Sequence, residues 1–98
     1  MTFICLMDYV DLEAIARVRP RHRDYMFKLI AENKVIAAGS FVPDDDGGLF
    51  LYEAPSLQAA QQLVADDPYI QEGAVLQHQL REYEIHGANP LLLHVTGN

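Results

Sequence analysis

Apolar and polar positions along the chain fall into a short series of strand-like and helix-like segments. Residues 2–8, TFICLMD, form an apolar run rich in strand formers and closed by Asp8, which reads as a first strand. Residues 9–18, YVDLEAIARV, read as a connection with some helical character. Pro20 suits the first turn of a helix, where a missing N–H has no intrahelical partner to lose. From there His22, Met26, Leu29 and Asn33 recur at spacings of four, three and four along one stripe, widened by Tyr25 and Ile30. That spacing predicts a helix over about 20–33. Residues 34–42, KVIAAGSFV, predict a second strand in which Gly39 marks a bulge or a close backbone approach. The turn-forming PDDDGG (43–48) joins it to a third strand, LFLYEA (49–54), as a hairpin. Ser56 is a candidate N-cap for a second helix whose buried face is Leu57, Ala60, Leu63 and Val64. DDPY (66–69) ends that helix, because the residue before a proline is pushed out of helical geometry. Residues 74–86, AVLQHQLREYEIH, predict a fourth strand. Its alternation changes phase midway, so a bulge near Arg81 or burial of both faces is expected.

The order β-α-β-β-α-β predicts an α+β, ferredoxin-like fold, with an antiparallel sheet and two helices on one face. The other face is left bare, and a second copy of the chain is the expected cover, hence a homodimer. The reading assigns residues 1–87 to this domain. Residues 88–98, ANPLLLHVTGN, form an apolar arm expected to pack as an extra strand or on the partner subunit. Following the chain direction through this topology brings His22, Asp67, Asp8, Ser40 and the acidic turn 44–46 to one rim of the sheet.

Charge narrows the partners. Seven Lys and Arg stand against fourteen Asp and Glu, a net charge of −7. That argues against nucleic acid and anionic membrane surfaces, which call for basic patches. The cluster Arg17, Arg19, Arg21 and Arg23 is the exception. It reads either as solvation of a helix start or as a local spot for an anionic group. A single cysteine, Cys5, excludes an intrachain disulfide and a cysteine-based metal site, and fits a reduced, cytoplasmic setting. The N-terminal segment lacks a charged leader region and reads as a strand rather than a signal peptide. No apolar run has the length of a membrane span.

The candidate chemistry centres on His22. An inward imidazole at a helix start, among arginines, is favoured in its neutral, proton-accepting form. A carboxylate such as Asp67 on one ring nitrogen would fix the tautomer and stabilise the imidazolium. These effects oppose each other. The competing reading makes His22 a backbone-bonded helix-start residue and Asp67 a turn former. Other chemistries find little support. The four histidines lack zinc-ligand spacing. The aspartates of DDDGG are consecutive, and the twelfth position from Asp44 is Pro55, so an EF-hand is excluded. Ser40 lacks a G-x-S-x-G context, and no phosphate-binding glycine loop is present. Neither a metal nor another cofactor is expected.

The pieces RPRH (19–22), AAGS (37–40), EAPSLQAAQQLVADDPY (53–69) and Gly73, in this order and spacing, resemble the YCII-related proteins, small ferredoxin-like chains that form dimeric α+β barrels. The resemblance spans most of residues 1–86. It implies a His–Asp pair in a small pocket, carried here onto His22 and Asp67, with Ser40 at a pocket position. Arg19, Ser40 and Tyr69 are taken as substrate-binding residues. One branch of the family dehydrochlorinates a hydroxylated aromatic, and the wider barrel superfamily includes muconolactone isomerases. This chain departs from the family in its short hairpin turn and in its apolar tail, PLLLHV. Two functions therefore stand side by side. One is a cofactor-independent lyase or isomerase acting on a small cyclic or aromatic substrate. The other is a non-catalytic, ligand-binding or accessory dimer using the same pocket.

Overall fold

Alternation builds the sheet. In the first strand, β1 (Thr2–Tyr9), the side chains of Phe3, Cys5, Met7 and Tyr9 are buried on one face, while Leu6 and Asp8 are exposed on the other. A computed structural model describes residues 1–92. The end of the apolar tail, residues 93–98, lies outside the described residues. β1 is followed by α1 (Leu12–Ala31), β2 (Val35–Ser40), β3 (Gly47–Glu53), α2 (Leu57–Ala65), a one-turn α3 (Pro68–Gln71) and β4 (Val75–Glu82). The strands form one antiparallel sheet in the order β2-β3-β1-β4. This is the ferredoxin-like β-α-β-β-α-β arrangement, with α3 added after the second helix. Register stacks Tyr52 of β3 against Phe3 and Phe50 against Cys5 on the helix side. Ile15, Val18, Met26 and Leu29 of α1, with Ala60 and Val64 of α2, close over them to make the core. Each large apolar side chain fully buried there contributes about 1.5–3 kcal/mol.

The other face carries no helix. Ile4 and Leu6 of β1 lie opposite Leu51 and Leu49 of β3 at its centre, and Leu6 remains 39% exposed. Of the tail, residues 88–92 are exposed in the single chain, held locally by a turn in which Leu92 N–H donates to the Asn89 carbonyl.

The first helix is longer than its pattern suggested. It starts at Leu12, capped by Asp11, whose carboxylate accepts the Ala14 N–H at 2.8 Å. Pro20 therefore sits inside the helix rather than in its first turn. Burial of Ala14, Ile15 and Val18, in phase with His22, Met26 and Leu29, holds the segment before Pro20 helical despite the lost hydrogen bond. At the far end Asn33 leaves the stripe. It takes a left-handed conformation (φ 61°), and the Lys34 and Asn33 N–H groups bond back to the Leu29 and Ile30 carbonyls, a Schellman termination.

Two expected irregularities fall elsewhere. The register of β2 shifts between Val35 and Ala37, not at Gly39, and a Cβ on Gly39 would meet nothing. The close approaches belong to Gly47, where a Cβ would run into the Met7 carbonyl oxygen, and to Gly48, where it would stand 2.6 Å from the Tyr9 hydroxyl and 2.7 Å from the Gly39 carbonyl oxygen. In β4 the shift lies opposite Asp8 and Tyr9, at the strand's start, and the Arg81 region pairs regularly with β1. Tyr83 and Ile85 change phase because the strand has already ended at Glu82.

Candidate functional site

The long helix decides where His22 lies. It is in the middle of α1, on the stripe that faces the sheet, and only 6% exposed. The electrostatic argument from a helix start does not apply to it, because the dipole's influence is confined to the terminal turns. Asp67 reaches it from the opposite side. Proline at 68 holds Asp67 extended (ψ 128°), which breaks the chain between α2 and α3 and makes Asp67 the N-cap of α3. Its Oδ1 accepts the Tyr69 N–H at 2.9 Å and lies 2.8 Å from His22 Nδ1. Asp67 is fully buried. Toward an ionised carboxylate, which can only accept, Nδ1 donates, and in the neutral ring Nε2 is then the accepting nitrogen.

Aromatic packing fixes the imidazole plane. Tyr69 stacks on it with centroids 3.8 Å apart and planes 9° from parallel. Phe50 meets it edge-on at 5.4 Å. Tyr69 is itself held at its far end, where its hydroxyl accepts a hydrogen bond from Arg19 Nε at 3.0 Å. The two outer nitrogens of Arg19 fork onto the Asp45 carboxylate at 2.7 and 2.8 Å. Asp45 sits in the turn between β2 and β3 with φ 52°. The Arg19 hydrogen bond holds its carboxyl below the usual carboxylate range. Burial pushes the Tyr69 hydroxyl upward against the lowering influence of Arg19. Burial, and then the negative charge of Asp67, push the Cys5 thiol up to about 12, which leaves it a core residue rather than a nucleophile.

A cleft of about 270 Å³ opens beside the ring, between α1 and the β2–β3 hairpin. Its polar lining is Arg19, His22, Arg23 and Ser40; its apolar wall includes Met26, Phe27, Ile30 and Phe50, with Tyr9 and Tyr69 at one end. Four of the residues expected at the site, His22, Arg19, Ser40 and Tyr69, thus border one space, and Asp67 stands behind His22. Asp8 does not join them. It points to the uncovered face, where its carboxylate accepts a hydrogen bond from Gln77. Tyr9, Phe27 and Phe50 were not foreseen, and of the acidic turn 44–46 expected at this rim it is Asp45 that engages Arg19. Tyr9 shares the odd parity of Phe3, Cys5 and Met7, the signal that could have found it. A second cleft of about 330 Å³, between α2, α3 and β4, contains His78 but no acidic or nucleophilic side chain. Among the described residues no group of three His, Cys, Asp or Glu side chains could hold a metal ion, and no helix is long and apolar enough to cross a membrane.

Solved structures share this fold. The 5-chloro-2-hydroxyhydroquinone dehydrochlorinase of Burkholderia phenoliruptrix, in complex with 2,5-dihydroxybenzoquinone, superposes with a TM-score of 0.72 at 22% identity, covering 89% of this chain and 96% of the other. An antibiotic biosynthesis monooxygenase gives a TM-score of 0.58 at 21% identity, over 89% of this chain and 100% of the other. A protein of Pseudomonas aeruginosa gives 0.58 at 12% identity, over 86% and 92%. No curated protein matches the chain by sequence. The YCII-related domain matches residues 1–84, from β1 through the end of β4, and the chain belongs to the YCII-related family.

Proposed function

We propose that this protein is a small acid–base enzyme, a lyase or isomerase that moves protons on a hydroxylated ring held in the cleft beside His22. The observation that carries the reading is the 2.8 Å bond from His22 Nδ1 to buried Asp67, which leaves Nε2 as an acceptor on a cleft-lining side chain. The fold likeness to a dehydrochlorinase acting on a hydroxylated chloroaromatic supports the substrate class.

In this reading Nε2 takes a proton from a ring hydroxyl. Asp67 stabilises the imidazolium, and the stacked Tyr69 ring keeps its plane fixed. Return of the proton to a different ring carbon completes an isomerisation. Where that carbon bears a halogen, it becomes tetrahedral. A second deprotonation of a ring hydroxyl then forms a carbonyl and expels halide, for a net loss of one hydrogen halide. Ser40, at the end of β2, is placed to hydrogen-bond a substrate oxygen, and Arg19 acts through Tyr69. A cavity of about 150 Å³ accommodates benzene, so the cleft suits one substituted ring.

The test is halide release from chlorinated hydroxyhydroquinones, with product spectra for isomerisation. His22→Ala should lose about 10²–10⁴-fold in turnover. Equal turnover by wild type and His22→Ala would remove the acid–base role. Binding without turnover by either protein would favour the ligand-binding alternative.

The active form is proposed to be a homodimer, with the Ile4, Leu6, Leu49 and Leu51 patch buried against a second copy. Leu6→Glu should lower the sedimentation mass to that of one chain. A wild-type mass of one chain would refute the dimer.

A further inference from the structure

Arg19 and Arg23 lie one helical turn apart on α1, and both border the cleft, but their situations differ. The charge of Arg19 is matched by the forked Asp45 carboxylate, and its Nε is engaged by Tyr69. Arg23 is exposed and makes no hydrogen bond or ion pair among the described residues. Asp45, whose carboxyl feels the Arg23 charge, is already committed to Arg19. Two like charges at i and i+4 disfavour the helix, and Asp45 relieves only one of them. An unmatched positive charge therefore stands at the mouth of an apolar, aromatic-walled cleft, in a chain whose net charge is −7. Phe27 and Ile30 continue the same helical face beyond it, and supply a flat apolar wall next to the charge.

We infer that Arg23, rather than Arg19, selects the ligand of this cleft, and that the ligand is a single planar ring bearing an oxyanion, an enolate, phenolate or carboxylate oxygen. The ring lies along Phe27 with its oxyanion on the Arg23 guanidinium and a second polar substituent toward His22 Nε2. This rests on the proposed reading of the cleft as the substrate site and adds the charge of the substrate. Such a residue also draws anions toward an otherwise repelling surface, so it acts on association as well as on the bound state.

The experiment is isothermal titration of the full chain with three probes. The first is 2,5-dihydroxybenzoquinone, whose hydroxyls are conjugated to carbonyls and ionise as vinylogous carboxylic acids. The others are benzoate and uncharged hydroquinone. Arg23→Gln should weaken at least one anionic probe by about tenfold or more and leave hydroquinone unchanged. The anionic probe that responds names the oxyanion. Arg23→Lys should recover part of the loss, and added salt should weaken the anion in wild type but not in Arg23→Gln. Because Arg23 is exposed and unbonded, and its charge repels that of Arg19, the variant's urea midpoint should equal or slightly exceed that of wild type. Anion binding by Arg23→Gln at wild-type affinity, equal loss of charged and uncharged probes, or no binding of any probe by wild type would each overturn the inference. If Arg23→Gln loses the anion while His22→Ala turns over normally, the anion site stands and the acid–base reading falls.

Discussion

Two carboxylates tie α1 to distant parts of the chain, and they do so at nearly the same distance. Asp67 lies 2.8 Å from His22, and Asp45 lies 2.7 Å from Arg19. Their surroundings separate them. The first pair is sealed, with side chains 8% and 0% exposed; the second keeps 25% and 28% of its surface in water. In the sealed pair each partner lacks any alternative in solvent, so losing one leaves buried groups unsatisfied. In the wetter pair water replaces whatever is removed. Geometry alone would rank the forked Arg19–Asp45 bond first, and burial reverses the order.

The largest expected effect follows. Asp67→Ala removes the acceptor for both His22 Nδ1 and the Tyr69 N–H, and leaves a cavity in the core. It should destabilise by about 2–6 kcal/mol, from two buried donors left unpaired at about 1–3 kcal/mol each, read from urea unfolding. Asp67→Asn keeps an accepting oxygen and should cost less, while still impairing turnover because the imidazolium loses its counter-charge. A cost below about 1 kcal/mol for Asp67→Ala would place this pair in the same class as Arg19–Asp45 and break the comparison.

Asp45→Asn should cost less than about 1 kcal/mol, as for solvent-accessible pairs. Its effect belongs to the site. With Arg19 no longer held by a carboxylate, the Tyr69 hydroxyl loses a fixed donor and its ring loosens from His22. The His22 ring proton resonances should then move downfield as the stacked ring current weakens, and Asp45→Glu should restore them. Unmoved resonances would make the clamp irrelevant to the imidazole.

The pH dependence has a definite sign. The Asp45 carboxyl is held below its usual range by Arg19. A depressed folded-state value contributes stability that is complete above the unfolded carboxylate value, about 3.9, and is lost as pH falls through the depressed one. The difference between wild type and Asp45→Asn should therefore be constant from neutral pH to about pH 5 and vanish in stronger acid. A gap that widened on acidification would contradict the assignment.

The legibility of the molecule in its sequence follows the same division between local and tertiary information. His22 could be turned inward from its stripe with Met26 and Leu29, and Ser56 identified as a cap, because both depend on spacing within a few residues. Topology brought His22 and Asp67 to one rim across forty-five positions, and the resemblance of RPRH and DDPY to a known family added support for their pairing. Nothing local distinguishes Asp45 from Asp44 or Asp46 in a run of three, and only the tertiary fold says which one meets Arg19. Arg19 was the arginine of this cluster assigned to a ligand from the sequence, and only the fold shows that Asp45 matches its charge and leaves Arg23 without a partner among the described residues. Pro20 obscured the true helix start, because a preference for the first turn outweighed Asp11, a cap whose evidence lay further upstream. Gly39 and Gly48 could be told apart only in three dimensions, where the Tyr9 hydroxyl and the Phe50 ring close over the second.

A third pair sets the lower limit of the series. Arg21 forks onto Glu72, linking α1 to the residue after α3, with side chains 52% and 38% exposed. The hydrogen bond from Arg21 lowers the Glu72 carboxyl as Arg19 lowers that of Asp45. Its bond geometry is as good as that of the clamp, yet neither partner touches the cleft or the aromatic stack around His22. Arg21→Gln and Glu72→Gln should therefore leave the urea midpoint, the His22 resonances and turnover all at wild-type values. A His22 shift in either variant would mean that α3 transmits surface charge to the imidazole through Tyr69. The sealed pair would then be coupled to solvent-exposed groups, and burial alone would no longer separate the two classes.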